Sequence, residues 1–366
     1  MRKTKVDRAF LFWIIVLTVF GFLIFSSASL GLLARGGGLY SDVALSQTFF
    51  GLFLGTLALL FLSRIHFRFW RKHAFAIFVV GIVATLLVFI PGLGLKHAGA
   101  TRWIILGDLS FQPSELLKIA FVIYLAAWIS GVRDKIKTFK FGLLPLLILL
   151  GICGLLVLSQ PDTDTFAVII MSGLAMFLVG GGKWRHVALI FLIAVLGLFI
   201  IASFKPYIKQ RLTTFIKPAE NAQGSSYQIQ QSLIAIGSGQ MTGRGYGQSI
   251  QKFYFLPEPI GDSIFAVAAE EFGFVGALGL ILAFVSFSIQ GMRIAARTDD
   301  SFGRLVVTGV IVMIISQAFV NIAAMLNVLP LAGLPLPFVS HGGTALLFTL
   351  AEVGIVLNIS RYQKKT

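Results

Sequence analysis

Three carboxylates, Asp262, Glu270 and Glu271, stand where a long polar interval gives way to an apolar run. Carboxylates gathered in this way can take and return protons in acid–base chemistry. The interval before them, 205–262, carries Arg211, Arg244 and Lys252, side chains suited to holding phosphate, and glycines 243, 245 and 247, which let backbone approach a ligand closely. Without a Walker lysine or a nucleotide-binding context, that glycine run does not define a phosphate loop. The plainer role for Asp262, which follows Gly261 at the start of the apolar run, is a helix N-cap. Three carboxylates are more than a cap requires.

Other polar groups interrupt apolar sequence. The turn Ser159–Thr165 holds Asp162 and Asp164, a pairing compatible with a metal or with acid–base work. Asp164, at the head of the next apolar run, better suits an N-cap, and the role of Asp162 stays open. Glu115 and Lys118 lie three residues apart on one helical face, just after Gln112-Pro113-Ser114, and can pair. Ionisable groups at membrane depth are costly and mark either function or an ion pair that locks helices together. Between Asn327 and Thr344, three prolines and three glycines break any helix, and irregular backbone at that depth is tolerated where it lines a cavity. The five histidines show no ligand spacing, so no zinc site is expected. Cys153 is the single cysteine and reads as a small core residue.

What must position these groups is a membrane. The composition is 57% hydrophobic and the mean hydropathy is +0.90, which excludes an ordinary soluble domain. Continuous apolar runs of near-membrane length predict helices rather than a barrel. We place spans at 9–30, 47–62, 74–91, 114–131, 141–158, 165–182, 187–204, 263–291, 305–328 and 342–359. The expected fold is therefore an all-α polytopic membrane protein of about ten transmembrane helices, one domain over 1–366, with a long loop at 205–262 between spans seven and eight. Phe10 onward is too long an apolar run for a cleavable signal and reads as the first span. Within the long loop, the apolar spacing of Tyr227–Ile236 predicts a short helix.

The net charge of +15 does not point to nucleic acid, because its placement is asymmetric. With ten spans, 20 of the 30 Lys and Arg residues fall on one side, together with both termini. That asymmetry predicts cytoplasmic termini and an outward-facing 205–262 loop.

Several motifs in order resemble the SEDS family of cell-wall proteins (FtsW, RodA, SpoVE). They are GATRWI at 99–104, FQPSELLK at 111–118, QPDTDT at 160–165, the run from Tyr227 through LPEP to DSIFAVAAEEFGFVGA, and LPLAGLPLPFVSHGGT. Ile90-Pro-Gly-Leu-Gly94 resembles the division branch more than the elongation branch. The resemblance covers nearly the whole chain. It implies a peptidoglycan glycosyltransferase that polymerises lipid II in the bacterial cytoplasmic membrane, alongside a class B penicillin-binding transpeptidase and other division or elongation proteins. Carried over by position, it implies two catalytic candidates, Asp262 as the essential loop aspartate and Glu258 as the Leu-Pro-Glu glutamate, with Glu115 and Lys118 as the buried pair and Arg102 as the arginine before tryptophan. Arg102, Arg244, Lys252, Gln160, Asp162 and Ser340 are the candidate substrate contacts. Three departures stand out: Ile260-Gly261 where the family has His-Thr, Asp164 in place of a glycine, and His341 and Thr344 in the Ser-Tyr-Gly-Gly-Ser motif.

The chemistry implied is displacement of a lipid pyrophosphate by a sugar hydroxyl. It needs a base, for which Asp262 is the candidate, and positive charge at the leaving group. A divalent cation could share that charge, although no ligand set is legible. Two other classes fit the same spans: a lipid II transporter, which would concentrate polar groups at the midplane, and a non-catalytic scaffold for the transpeptidase.

Overall fold

A computed structural model of the chain describes residues 6–35, 37–97, 100–106, 109–204, 206–217 and 225–363. Gly99 of the GATRWI motif and part of the 205–262 interval lie outside that set, as do the first five and last three residues.

The chain opens with α1 (Arg8–Ser29), α2 (Gly37–Leu45), a π-helical run Ser46–Leu54 that continues into α3 (Gly55–Leu62), α4 (Phe67–Lys72) and α5 (Ala74–Leu87). An antiparallel sheet follows, β1 (Gly94–His97), β2 (Ala100–Leu106) and β3 (Leu109–Phe111), paired in that order. It is the one departure from the all-helical expectation among the described residues, and it carries Arg102. Then come α6 (Pro113–Val132), α7 (Leu144–Leu158), α8 (Thr163–Val179), α9 (Trp184–Phe204), α10 (Pro206–Ile216), α11 (Ser225–Ser238) and α12 (Gln251–Tyr254). The last helices are α13 (Ile264–Arg297), α14 (Ser301–Met325) and α15 (Gly343–Ile359). The short helix expected at Tyr227–Ile236 is α11.

Among the described residues, seven helical segments are long and apolar enough to cross a membrane, and three shorter apolar helices accompany them. The chain is a multi-pass membrane protein. Capping marks the helix starts: Asp7 accepts from Phe10 N at α1, and Asp300 accepts from Gly303 N at α14. Along α1, Phe10, Ile14, Leu17 and Ile24 are buried, whereas Phe12, Ile15, Val19 and Leu23 form an exposed apolar stripe, as a membrane-facing helix requires. The interior helices are α14 and the α15 segment, with 78% and 72% of their apolar windows buried, against 22% for Tyr40–Leu62. Helix α14 and the segment that links it to α15 anchor the turn that carries Asp262.

Helix α13 is broken at Gly273, whose backbone lies at φ 67°, ψ −167°. The break is repaired by the glycine-rich stretch after α11. Phe274 N and Val275 N donate to Gln240 O and Met241 O, and Arg244 N and Gly245 N donate to Glu270 O and Glu271 O. Backbone freed inside an apolar span must find such partners. A Cβ at Gly243 would stand 2.1 Å from Glu271 O, and one at Gly273 would stand 2.3 Å from Gly243 N. The close approach permitted by Gly243 is therefore to α13, not to a ligand phosphate.

Candidate active site

Asp262 lies in the turn between α12 and α13. The N-cap of α13 is Ser263, so the carboxylate of Asp262 is not spent on capping. Three consecutive carbonyls fix this turn: Ile260 O accepts from His341 N at 2.7 Å, Gly261 O from Ser340 Oγ at 2.7 Å, and Asp262 O from Asn321 Nδ2 at 2.8 Å. Because the anchors at Ile260 and Gly261 are backbone carbonyls, these bonds do not depend on the side chain at either position. Glu258, exposed and with left-handed backbone at φ 46°, closes the turn by accepting from Gly261 N and Ser263 N.

The Asp262 side chain faces Gly333. A methyl group placed on Gly333 would stand 3.6 Å from Asp262 Oδ2, 3.6 Å from Arg211 Nη2 and 3.9 Å from Arg102 Nη1. One carboxylate and two guanidinium groups thus surround a gap kept open by the absence of a side chain. Burial pushes the Asp262 carboxyl up to about 7, the Glu258 and Asp164 carboxylates add to the rise, and Arg211 and Arg102 oppose it. A carboxyl titrating there is poised to accept a proton at neutral pH.

Arg102 reaches the site from β2 and is braced on the turn before α8. Its Nε donates to Gln160 O at 3.2 Å, its Nη2 to Pro161 O, and its Nη1 stands 3.7 Å from Asp162 Oδ1. Asp162 is buried and is the N-cap of α8, accepting from Thr165 N and Thr165 Oγ1. Burial raises its carboxyl and Arg102 opposes the rise. The capping role expected of Asp164 therefore falls to Asp162. Asp164 instead accepts through Oδ2 from Arg211 Nη1 at 2.8 Å and from Gly333 N at 2.9 Å.

The structure separates the remaining candidates. Gln160 is buried and turns its amide to Thr85 O on α5, so it contributes a carbonyl that orients Arg102 rather than a side chain to the gap. Ser340 is a positioning residue: its hydroxyl donates to Gly261 O and accepts from Leu336 N. Lys252 is fully buried, and its three N–H groups go to Glu271 Oε1, Ser27 Oγ and Gly247 O. That leaves no donor for pyrophosphate and corrects the substrate-contact reading. Arg244 stands 3.4 Å from Glu270 Oε1 at the α13 break. Glu270 also accepts from Ser249 Oγ, Ile250 N and Gln251 N, capping α12. Glu270 and Glu271 are thus structural, and of the three carboxylates considered together only Asp262 faces the gap.

Glu115 and Lys118 pair at 2.9 Å inside α6, and Lys118 also donates to Gln317 Oε1 at 2.8 Å. Gln317 donates onward to Pro335 O, and Asn321, one turn later, bonds both Leu334 O and Asp262 O. Glu352 on α15 is buried within electrostatic reach of Lys118 and Glu115. Gln317, Asn321 and Glu352 were not singled out from the sequence. The four-residue spacing of two amides on an apolar helix was the available signal. Among the described residues, no three His, Cys, Asp or Glu side chains gather as a metal-ligand set.

The "Cell cycle protein" family model FTSW_RODA_SPOVE matches residues 7–365. Stage V sporulation protein E of Bacillus subtilis is 34% identical, with 99% of each chain covered. A probable peptidoglycan glycosyltransferase FtsW of a Geobacter species is 33% identical over 98% of each. Among solved structures, one described as coordinating polymerization and crosslinking in a peptidoglycan synthase complex aligns with TM-score 0.80 at 26% identity, covering 98% of this chain and 99% of that one. The rod shape determining protein RodA of Thermus thermophilus aligns with TM-score 0.71 at 26% identity, covering 98% of each chain. A whole-chain match of this kind, on a multi-pass helical fold, places the protein in the FtsW/RodA/SpoVE family of cell cycle proteins.

Proposed function

We propose that this peptidoglycan glycosyltransferase polymerises lipid II at the gap around Gly333, with Asp262 as the general base. The observation that carries the reading is the placement of the Asp262 carboxylate beside two guanidinium groups, with nothing but backbone at residue 333 between them. In the step proposed, the 4-hydroxyl oxygen of the acceptor sugar attacks the anomeric carbon of the donor with inversion. The bond to the pyrophosphate oxygen breaks, and the hydroxyl proton passes to Asp262. Arg102 and Arg211 stabilise the charge that develops on the departing undecaprenyl pyrophosphate. A divalent cation bound with the pyrophosphate would share that charge. Glu258 supports Asp262 by holding its turn and by keeping its carboxyl basic.

The charge asymmetry supports cytoplasmic termini and a site at the outer membrane face. The similarity to a peptidoglycan synthase complex supports a class B penicillin-binding transpeptidase as partner. The transport reading would draw on the buried Glu115–Lys118 pair, but that pair is tied through Gln317 to the segment beside the gap. This suits a structural role.

The test is polymerisation of labelled lipid II by the purified protein, alone and with a class B transpeptidase, beside Asp262→Ala. Glycan strands from the parent and their loss in the variant are expected. Absence of product from folded, partnered protein would overturn the reading in favour of transport or scaffolding.

A further inference from the structure

Asp164 has a geometry that its place in the α8 first turn does not require. That helix is already capped by Asp162, so the Asp164 carboxylate is available for other work. One of its oxygens, Oδ2, accepts two hydrogen bonds of different origin: the Arg211 guanidinium at 2.8 Å and the Gly333 amide at 2.9 Å. Those donors come from α10 and from the irregular segment between α14 and α15, so three distant parts of the chain meet on a single anionic oxygen. A guanidinium N–H and a backbone N–H converging on one oxygen form the donor set by which proteins hold a phosphate oxygen. Neither partner is sealed in: the Arg211 and Asp164 side chains keep 23% and 15% of their exposure, whereas the Lys252–Glu271 pair keeps 0% and 1%. The second Arg211 nitrogen, Nη2, borders the same gap as Arg102 and Asp262.

We propose that Arg211 and the Gly333 amide form an anion site that Asp164 occupies as an internal counter-ion in the free protein, and that a substrate phosphate takes over these donors on binding. The ligand chemistry is a diphosphate ester, a diester in a lipid-linked sugar donor and a monoester in the lipid diphosphate released. On the function proposed above, its source is the pyrophosphate of the lipid-linked donor or product. The carboxylate keeps the guanidinium neutralised and aimed at the gap while the site is empty, which limits the reorganisation needed on binding. It also competes with the ligand, so the resting protein binds phosphate more weakly than its donor set allows. Asp164 would accordingly be a specificity-determining residue, setting how much anionic charge a ligand must bring to displace it.

The experiment uses the full-length protein in detergent or nanodiscs and measures binding of inorganic pyrophosphate directly, with the KM for lipid II measured in parallel. Asp164→Asn keeps the shape and one acceptor for the Gly333 amide but removes the competing charge. It should bind pyrophosphate at least about tenfold more tightly, the worth of roughly one charge-assisted hydrogen bond, and lower KM in the same direction. Arg211→Gln should weaken pyrophosphate binding by at least as much and raise KM. Asp164→Asn with a melting temperature like the parent's, but unchanged or weaker pyrophosphate binding, would overturn the proposal. So would Arg211→Gln that leaves binding intact. The binding arm does not depend on turnover. Parent protein that polymerises lipid II while Asp164→Asn leaves pyrophosphate affinity unaltered would sink this inference alone. Parent protein that binds pyrophosphate and responds to both substitutions, yet makes no glycan, would sink the enzymatic reading and leave the anion site standing.

Discussion

The amide of Asn321, buried on α14, donates at 2.8 Å to the backbone carbonyl of Asp262 and with the same nitrogen at 2.8 Å to Leu334 O. One side chain thereby fixes the turn that carries Asp262 against the segment that carries Gly333. Asn321→Leu removes both bonds and strands two carbonyls at a cost of about 1–3 kcal/mol each. The expected result is a lower kcat, about 10–100-fold for a misplaced catalytic group, with little change in KM. Steady-state polymerisation kinetics beside a thermal melt would check it, and an unaltered kcat would contradict the positioning role.

Asp262→Asn conserves size and removes the base. The expected loss is about 10²–10⁴-fold in polymerisation rate, the usual worth of one general base. Membrane insertion and melting temperature should stay near those of the parent, because the turn is held through backbone carbonyls.

The rate should depend on pH in a defined direction. A base must be ionised, so with the Asp262 carboxyl at about 7 the rate climbs as pH rises through that value. Glu258 and Asp164 raise this carboxyl, so Glu258→Gln or Asp164→Asn moves the midpoint to lower pH. Arg211 and Arg102 lower it, so Arg211→Gln moves the midpoint to higher pH. A pH–rate series on the three variants reads the sign directly.

Lys252 and Glu271 form a fully buried pair at 2.6 Å. Breaking one side of such a pair typically costs about 3–5 kcal/mol, while an apolar replacement of both is far milder. Lys252→Met and Glu271→Leu should each lower the melting temperature and yield of folded protein, and the double variant should recover most of both. A Lys252→Met variant that is stable and defective only in KM would instead return Lys252 to the substrate.

Gly243 and Gly273 pack backbone to backbone, both with left-handed φ. Gly273→Ala puts a Cβ 2.3 Å from Gly243 N and cannot be relieved by a rotamer change. Loss of the repaired break in α13 is expected, seen as reduced folded yield and increased proteolysis between Gln240 and Tyr246. A fully stable variant would show that the contact can be opened without cost.

The sequence by itself determined the solvent. Apolar runs long enough to span hydrocarbon require helices, and the placement of lysine and arginine predicts their sidedness. It also gathered Asp262, Glu270 and Glu271 at the head of one span, more carboxylates than a cap requires, and the family resemblance picked Asp262 from the three; α11 was legible from spacing alone. It could not choose between groups of equal local chemistry. Asp162 and Asp164 are both competent N-caps two residues apart, and the choice was settled by Arg211 and the Gly333 amide, which only folding brings to Asp164. Arg211, Arg244 and Lys252 are all cations in one loop. Their fates diverged because Lys252 and Arg244 found buried carboxylates on α13, while Arg211 reached the gap beside Asp262. Charge and hydrogen-bonding capacity are properties of a residue and can be read in sequence. Whether they are spent inside the protein or left for a ligand depends on neighbours distant along the chain, and that is fixed by tertiary packing.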